Sequence, residues 1–343
     1  MELRKLQLVG RASFSVTLPP NWVKENKLKP GNQVTLTQED DGSLRLVPGI
    51  VPVRKEFKFT IDADRCKQRG LLQRLVVGGY IRGCDLIEVV SKHRIRRDQK
   101  DEIQDAVNGL LGFGIMEVTS NRVAIHSLID HSKFPIRPLL RRLCGLASSM
   151  HKDAMQALRD KDLPLAADVT HRENEVDKIY WLAIRQLVAV THDKSLLQKV
   201  GLEGAPDPFS HQAVAVRLEE IADCAEDIAQ SLLALGKKKI GDAELQDVIK
   251  LSELAYEACH NACEAFFKEK MAAADSAVRI VDNFEDRVEK LVEVVRTRVE
   301  DIHVGTCLCT IIRNLCTIAE CGKRIAEVTI NNSILVEGGL QRL

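Results

Sequence analysis

A helical repeat in the C-terminal two-thirds of the chain constrains the fold most. Residues 151–190 align without a gap on residues 260–299 at an offset of 109, and Asn174 and Asp177 then match Asn283 and Asp286. The next helical stretches, 218–229 and 315–326, align at an offset of 97. We therefore predict two three-helix bundles, residues 136–236 and 243–330.

Composition restricts the class of protein. Of 343 residues only 4% are aromatic, which favours the aliphatic cores of helical bundles. No run of about 18 apolar residues predicts a membrane span, and no apolar core follows the basic start as in a signal peptide. The ten cysteines lack disulfide spacing. These patterns predict a cytoplasmic protein with reduced cysteines.

Two carboxylates stand one helical turn apart on an apolar stripe. Glu173 and Asp177 share a face with Val176 and Tyr180 when 170–180 forms a helix. Burying an uncompensated carboxylate costs several kcal/mol, so arginine, a metal ion or exposure at the bundle surface must compensate. A neighbouring third helix that carries Glu219 and Asp223 would complete a four-carboxylate cluster.

The second repeat keeps this arrangement in part. Asp282 and Asp286 take the place of the first pair at the offset of 109, while Cys316 and Glu320 take the place of Glu219 and Asp223. A solvated acidic face explains the second-repeat acids without a ligand. A metal site here would be altered, or would take a softer ion through Cys316.

The duplicated three-helix pattern, with RENEVD in a second helix and LEEIAD in a third, resembles the PhoU family of phosphate-uptake regulators. The resemblance covers about residues 136–330. It implies Glu/Asp-x-x-x-Asp motifs that bind clusters of iron or zinc, with magnesium as a further option. The metal ligands that it implies are Glu173, Asp177, Glu219, Asp223, Asp282, Asp286 and Glu320.

Residues 1–49 read as short strands with one helical turn. Alternation over 4–9 and 14–18, a helix over 21–26 and a hairpin of 33–37 with 43–47 around Glu39–Gly42 predict a small β domain. About fifty residues bury too little surface alone, so we predict a homodimer with interleaved strands.

This segment resembles the AbrB/SpoVT/MazE swapped-hairpin DNA-binding domains, from Gly10-Arg11 through LKPGNQV. The resemblance implies a basic face on DNA made by Arg4, Lys5, Arg11 and Lys24, where phosphate neutralisation supplies most of the affinity. Asn32 stands where the family usually has Asp. With a net charge of only +2 in this segment, a dimerisation module without DNA affinity is the alternative. We call residues 1–49 the head. A head of this kind joined to the helical repeats resembles archaeal members of the PhoU family.

Residues 50–130 alternate between strand and helix, which predicts a small βαβαββ domain of unknown role. A helix is expected over 63–77, and the cluster Lys92–Arg97 reads as a solvated loop or a contact for nucleic acid or an acidic surface. Residues 130–135 read as a linker to the helices. The fold class is thus a multidomain α+β chain: a swapped-hairpin β domain, a small α/β domain and a mainly α pair of bundles.

The sequence alone leaves three functions open. Residues 1–134 carry a net charge of +6 and residues 135–343 a net charge of −6, which suggests a polyanion at one end and a cation at the other. The first hypothesis is a non-enzymatic regulator of phosphate homeostasis that binds DNA and metal and acts with a phosphate ABC transporter or sensor protein. The second is a protein-interaction regulator whose head serves only for dimerisation. The third, a carboxylate-bridged metalloenzyme, rests on Glu257-x-x-His260 and Glu300-x-x-His303, which helical geometry would hold tens of ångströms apart.

Overall fold

A computed structural model describes residues 3–38, 42–49, 56–193, 196–202, 207–282 and 284–334. The chain divides into two compact units, Met1–Glu56 and Phe57–Leu343. The fold is mixed α+β: N-terminal β hairpins, a small α/β region and a C-terminal helical region.

The first unit consists of two separate antiparallel hairpins and one short helix. Its elements are β1 (Gln7–Val9), β2 (Ser13–Ser15), α1 (Pro20–Glu25), β3 (Val34–Gln38) and β4 (Leu44–Pro48). The first two strands are shorter than predicted, and residues 39–41 of the expected second turn lie outside the described residues. Within the described part of this unit no side chain is fully buried. The described residues of the two hairpins therefore form no fully buried core within one chain.

The α/β region has the predicted βαβαββ order. Its elements are β5 (Lys58–Asp62), α2 (Leu71–Ile81), β6 (Leu86–Val90), α3 (Arg97–Asn108), β7 (Phe113–Val118) and β8 (Arg122–Ser127). The sheet order is β5-β6-β8-β7, with β5 and β6 parallel and the other pairs antiparallel. Leu72 and Val76 of α2 and Ile103 of α3 are fully buried in its core.

The expected helix over 63–77 starts eight residues later than predicted. Residues Ala63–Arg65 form a 3-10 turn, capped by the Asp62 side chain that accepts from the Asp64 amide. Gly70 then adopts φ +79°, a conformation that ends any helical path and favours glycine. Helix α2 can begin only after it.

The helical region is built from long amphipathic helices. They are α4 (Ile136–Asp160), α5 (Leu163–His192), α6 (Leu196–Lys199), α7 (Asp207–Leu235), α8 (Asp242–Lys268), α9 (Met271–Asp282), α10 (Phe284–Arg298) and α11 (Ile302–Asn332). Helices α4, α5 and α7 pack together, as do α8, α9 and α11. Each long helix buries an aliphatic stripe in one continuous core.

The offset between the repeats is 108 in their first two helices, so the predicted 109 is wrong by one residue. Lys161 and Glu269, which end α4 and α8 in the left-handed conformation, lie 108 positions apart. Buried positions follow the same spacing: Ala166 with Ala274, Val169 with Ala277, Val176 with Phe284, Ala183 with Leu291 and Leu187 with Val295. The offset of 97 between α7 and α11 is confirmed by buried pairs such as Leu218 with Leu315.

The segment expected to be a linker is packed against the helices. His131 is 6% exposed, and its carbonyl accepts from Gln186 Nε2 at 2.9 Å. Arg185, fully buried on α5, donates to the carbonyls of Tyr80 at 2.6 Å and Cys84 at 2.9 Å. The α/β and helical regions therefore form one compact unit.

Helix α11 is the single described helix that is long and apolar enough, by length and composition, to cross a membrane. Half of its most apolar window is buried, and it packs on α7 and α8. These contacts are those of a core helix in a bundle. All ten cysteines are free, as the sequence predicts.

Candidate functional site

The four carboxylates predicted in the first repeat lie on adjacent helices. Glu173 and Asp177 are on α5, where their side chains share a hydrogen bond, and Glu219 and Asp223 are on α7, which packs against α5. Val176 between the first pair is fully buried, whereas Glu173, Asp177 and Glu219 are half-buried. We call these four residues the repeat-one cluster.

The cluster is electrostatically strained. Partial burial raises the pKa of Glu173 to about 7, with further increases from the charges of Asp177, Glu226 and Asp223. Burial and the charges of Asp223 and Asp177 raise the pKa of Glu219 to about 7. Burial and the charges of Asp177 and Glu226 raise the pKa of Asp223 to about 6. The four side chains therefore repel one another as they ionise.

Among the described residues, no arginine or lysine forms an ion pair with this cluster. Arg172 bonds to Asp153 and Asp168 instead, and Arg217 pairs with Glu220. These two arginines therefore pair with other carboxylates. Within the described part of the chain, arginine, one of the three options that the sequence left open, does not compensate the charge of this cluster. The described residues also hold no group of three or more His, Cys, Asp or Glu side chains already placed to hold an ion. The cluster is therefore not a preformed ion site.

The second repeat places different residues at the equivalent positions. With offsets of 108 and 97, Val281 replaces Glu173, Glu285 replaces Asp177, Cys316 replaces Glu219, Glu320 replaces Asp223, and Lys323 and Arg324 replace Glu226 and Asp227. The charges of Glu285 and Glu320, after burial, raise the pKa of the Cys316 thiol, so these three groups face one another. The offset of 109 places Asp286 opposite Asp177, whereas the offset of 108 places Glu285 there.

The acids of the second repeat have cationic partners. Lys323 Nζ lies 2.9 Å from an Asp282 carboxylate oxygen, and Arg324 lies 2.9 Å from Glu320. Asp286 is exposed on α10. Two basic residues thus stand where the first repeat has two more acids, and they pair with Asp282 and Glu320.

Three histidines of the helical region, among them the two of the Glu-x-x-His motifs, have contacts outside the repeat-one cluster. His151 is 2% exposed, bonds to Ser252 Oγ at 2.9 Å, and burial lowers its pKa to about 4. His260 stacks on Tyr256, and His303 Nε2 lies 3.0 Å from the Ala234 carbonyl. None of these contacts brings a histidine to the repeat-one cluster.

The basic residues predicted to meet DNA are exposed on the first unit. Arg4, Lys5, Arg11 and Lys24 all have solvent-accessible side chains. Asn32 Oδ1 accepts from the Lys29 amide at 2.8 Å, so the turn is closed as an aspartate would close it.

The fold places this chain in the class of multidomain proteins that join a β-hairpin unit to paired three-helix bundles. Comparison with domain families identifies its two parts. The PhoU domain matches residues 140–232, and the MazE bacterial antitoxin domain matches residues 7–56. Residues 140–232 are thus similar to the PhoU domain, and residues 7–56 are similar to the MazE domain.

Solved structures agree with the helical assignment. The phosphate transport system regulatory protein PhoU from Streptococcus pneumoniae is similar over 61% of this chain and 96% of its own, with 18% identity and a TM-score of 0.51. PhoU from Pseudomonas aeruginosa is similar over 57% and 93%, with 20% identity and a TM-score of 0.52. These likenesses concern the fold. No curated protein sequence matches the chain significantly.

Proposed function

We propose that this protein is a cytoplasmic regulator of phosphate uptake that joins a DNA-binding head to a metal-binding helical sensor. The observation that carries the proposal is the presence of a MazE-type domain and a PhoU domain in one chain. A solved relative of the helical part is a phosphate transport system regulatory protein. The role is regulatory rather than enzymatic, and a phosphate ABC transporter or sensor protein would be its partner.

Metal binding at the repeat-one cluster is part of this proposal. Glu173, Asp177, Glu219 and Asp223 are oxygen donors without cationic partners among the described residues. Burial raises the pKa of each, and the charges of neighbouring acids raise the pKa of Glu173, Glu219 and Asp223 further. A cation would relieve that repulsion, and iron, zinc or magnesium accept such ligands. A bound ion would supply positive charge that holds α5 against α7. The second repeat fits less well, because Val281 stands in place of Glu173 and Arg324 pairs with Glu320.

The head would act as a homodimer. Leu8, Phe14, Leu36 and Leu44 of its strands are more than 60% exposed within one chain. An isolated two-stranded hairpin is marginal in water, so interleaving with a second copy would give these side chains a core. The dimer would then present Arg4, Lys5, Arg11 and Lys24 twice to the phosphate backbone.

Chromatin immunoprecipitation from the source cells, grown with abundant and with scarce phosphate, tests the proposal. We expect enrichment upstream of phosphate-transport genes that changes with phosphate supply and disappears when Arg4, Lys5 and Arg11 are replaced by alanine. A dimer that enriches no DNA but co-purifies with a phosphate transporter would instead support the interaction-only regulator.

A further inference from the structure

One end of the α/β region carries a dense group of cations. Strands β5 and β6 are parallel, so the loops that follow them, 63–70 and 91–96, leave the same edge of the sheet. The Asp64 carboxylate joins these loops, accepting from Ser91 Oγ at 2.7 Å and from the Lys92 amide at 2.8 Å. We call this end, residues 63–74 and 91–97, the basic end.

Most of its cations have no acidic partner. Arg65 pairs with Asp62, and Arg96 with Asp98. Six further cations have exposed side chains and form no ion pair among the described residues: Lys67, Arg69, Arg74, Lys92, Arg94 and Arg97. Unpaired cations at this density create a field that attracts polyanions.

Besides Asp62 and Asp98, which pair with Arg65 and Arg96, two further acids at this end hydrogen-bond to the backbone. Hydrogen bonds from the Lys92 amide and the Ser91 hydroxyl hold the pKa of Asp64 below its usual value. Glu102 Oε1 accepts from the Gly70 amide at 2.9 Å and so supports the loop before α2. Both carboxylates are committed to loop geometry.

The loop after β6 is also anchored to the core of the α/β region. Ile95 is 1% exposed in the core of the α/β region, and its amide donates to the Ser120 carbonyl at 2.9 Å. Arg94 and Arg96 flank this anchor and extend into solvent. A rigid loop loses little conformational entropy when its arginines meet a ligand.

The side-chain types favour phosphate. Four of the six unpaired cations are arginines, whose planar guanidinium binds phosphate oxygens in a bidentate manner. The described residues of the basic end expose no large apolar side chain. Protein interfaces usually have an apolar core, and single strands usually stack on aromatic rings, so neither partner is favoured.

We infer that the basic end binds the phosphate backbone of duplex nucleic acid without sequence preference. This surface belongs to the Phe57–Leu343 unit, and its binding does not require that the head bind DNA. It assigns a role to the α/β region and makes the whole chain a nucleic-acid binder with two separate contact surfaces.

The test measures binding of the full-length protein to a short labelled duplex of mixed sequence by fluorescence anisotropy over a series of salt concentrations. The variant Arg94→Ala/Arg97→Ala removes two charges from exposed positions. Arg82→Ala is the matched control, since this exposed arginine follows α2 at its far end, about 16 Å away along the helix. We expect the double variant to lose at least ~10-fold in affinity and to flatten the slope of log K against log salt by about 2, with the control unchanged.

A third variant separates this inference from the proposed function. Arg4→Ala/Lys5→Ala/Arg11→Ala removes the charges of the head and leaves the basic end intact. We expect the head variant to keep salt-dependent binding and to lose it when the Arg94/Arg97 change is added. This result supports the inference, also where the head variant alone binds as wild type does. An Arg94/Arg97 variant with native affinity and slope would overturn it. Displacement of the duplex by polyglutamate as readily as by unlabelled duplex would also overturn it, because the surface would then take acidic chains in general.

Discussion

The behaviour of the repeat-one cluster is decided by single charged residues. Glu173 and Glu219 have pKa values near 7 because they are partly buried among other acids, and no described basic residue pairs with them. The second repeat differs by a few substitutions, of which Lys323 and Arg324 matter most. Acidic or basic side chains on one face of the third helix thus distinguish the two repeats.

The raised pKa values predict how the metal-free protein responds to pH. Between about pH 4.5 and 7 the folded protein holds more protons at Glu173 and Glu219 than the unfolded chain, so stability falls as pH rises through this window. We expect Glu173→Gln/Glu219→Gln, in the presence of a chelator, to melt at a temperature roughly 2–4 °C above wild type at pH 8. Thermal melts at pH 5 and pH 8 measure this.

At pH 5 the two proteins should melt close together, because both glutamates are then largely protonated. Glu289→Gln, an exposed glutamate on α10, is the matched control and should show no such trend. A wild-type advantage that grows toward pH 8 under chelation would contradict the electrostatic account.

Elements of the fold differ in how far the sequence predicts them. Hydrophobic periodicity predicts the long helices and the βαβαββ order because most of these elements have one buried face. It misplaces the start of α2, since Gly70 needs a positive φ that periodicity does not report. It also misses the repeat register by one residue. Asp282 and Asp286 match Glu173 and Asp177 in residue type at an offset of 109, whereas the buried positions require an offset of 108.

The sequence likewise predicts the candidate site only in part. Helical spacing places Glu173 with Asp177 and Glu219 with Asp223, and the packing of α5 on α7 brings the two pairs into electrostatic range. The ion pairs of Asp282 and Glu320 depend on tertiary packing and on the register, so the sequence did not predict them. Metal binding by any of these residues stays a prediction.

Arg185 holds the α/β region on α5. Its guanidinium donates to the carbonyls of Tyr80 and Cys84 and lies over the Tyr80 ring. We expect Arg185→Leu to cost roughly 3 kcal/mol or more, because buried carbonyls lose a charged donor. Chemical denaturation should show the cost, together with separate transitions for the α/β and helical regions.

Arg142→Ala is the matched control for that experiment. This arginine is 61% exposed and pairs with Glu175 on the surface of the same repeat, so its loss should cost less than ~1 kcal/mol. Equal costs for the two substitutions would show that Arg185 does not join the regions.

On the scale of the whole molecule, the proposed homodimer would form through the head. Phe14 is 67% exposed in a strand of a unit that has no buried side chain among its described residues. We expect Phe14→Glu to convert a dimer into a monomer in size-exclusion chromatography with light scattering, because the charge would be buried at the shared core.

Ile302→Glu provides the comparison, since Ile302 is 87% exposed at the start of α11. This substitution should leave the dimer intact. A Phe14→Glu protein that is still dimeric would place the dimer interface outside the head.

The metal content of the purified protein tests the central claim most directly. After saturation with iron, zinc or magnesium and removal of excess ion, elemental analysis should find metal in the wild type and in Glu285→Ala/Glu320→Ala. It should find little in Glu173→Ala or Asp223→Ala, because each change removes an oxygen donor from the repeat-one cluster. Unchanged metal content in Glu173→Ala and Asp223→Ala would contradict the account.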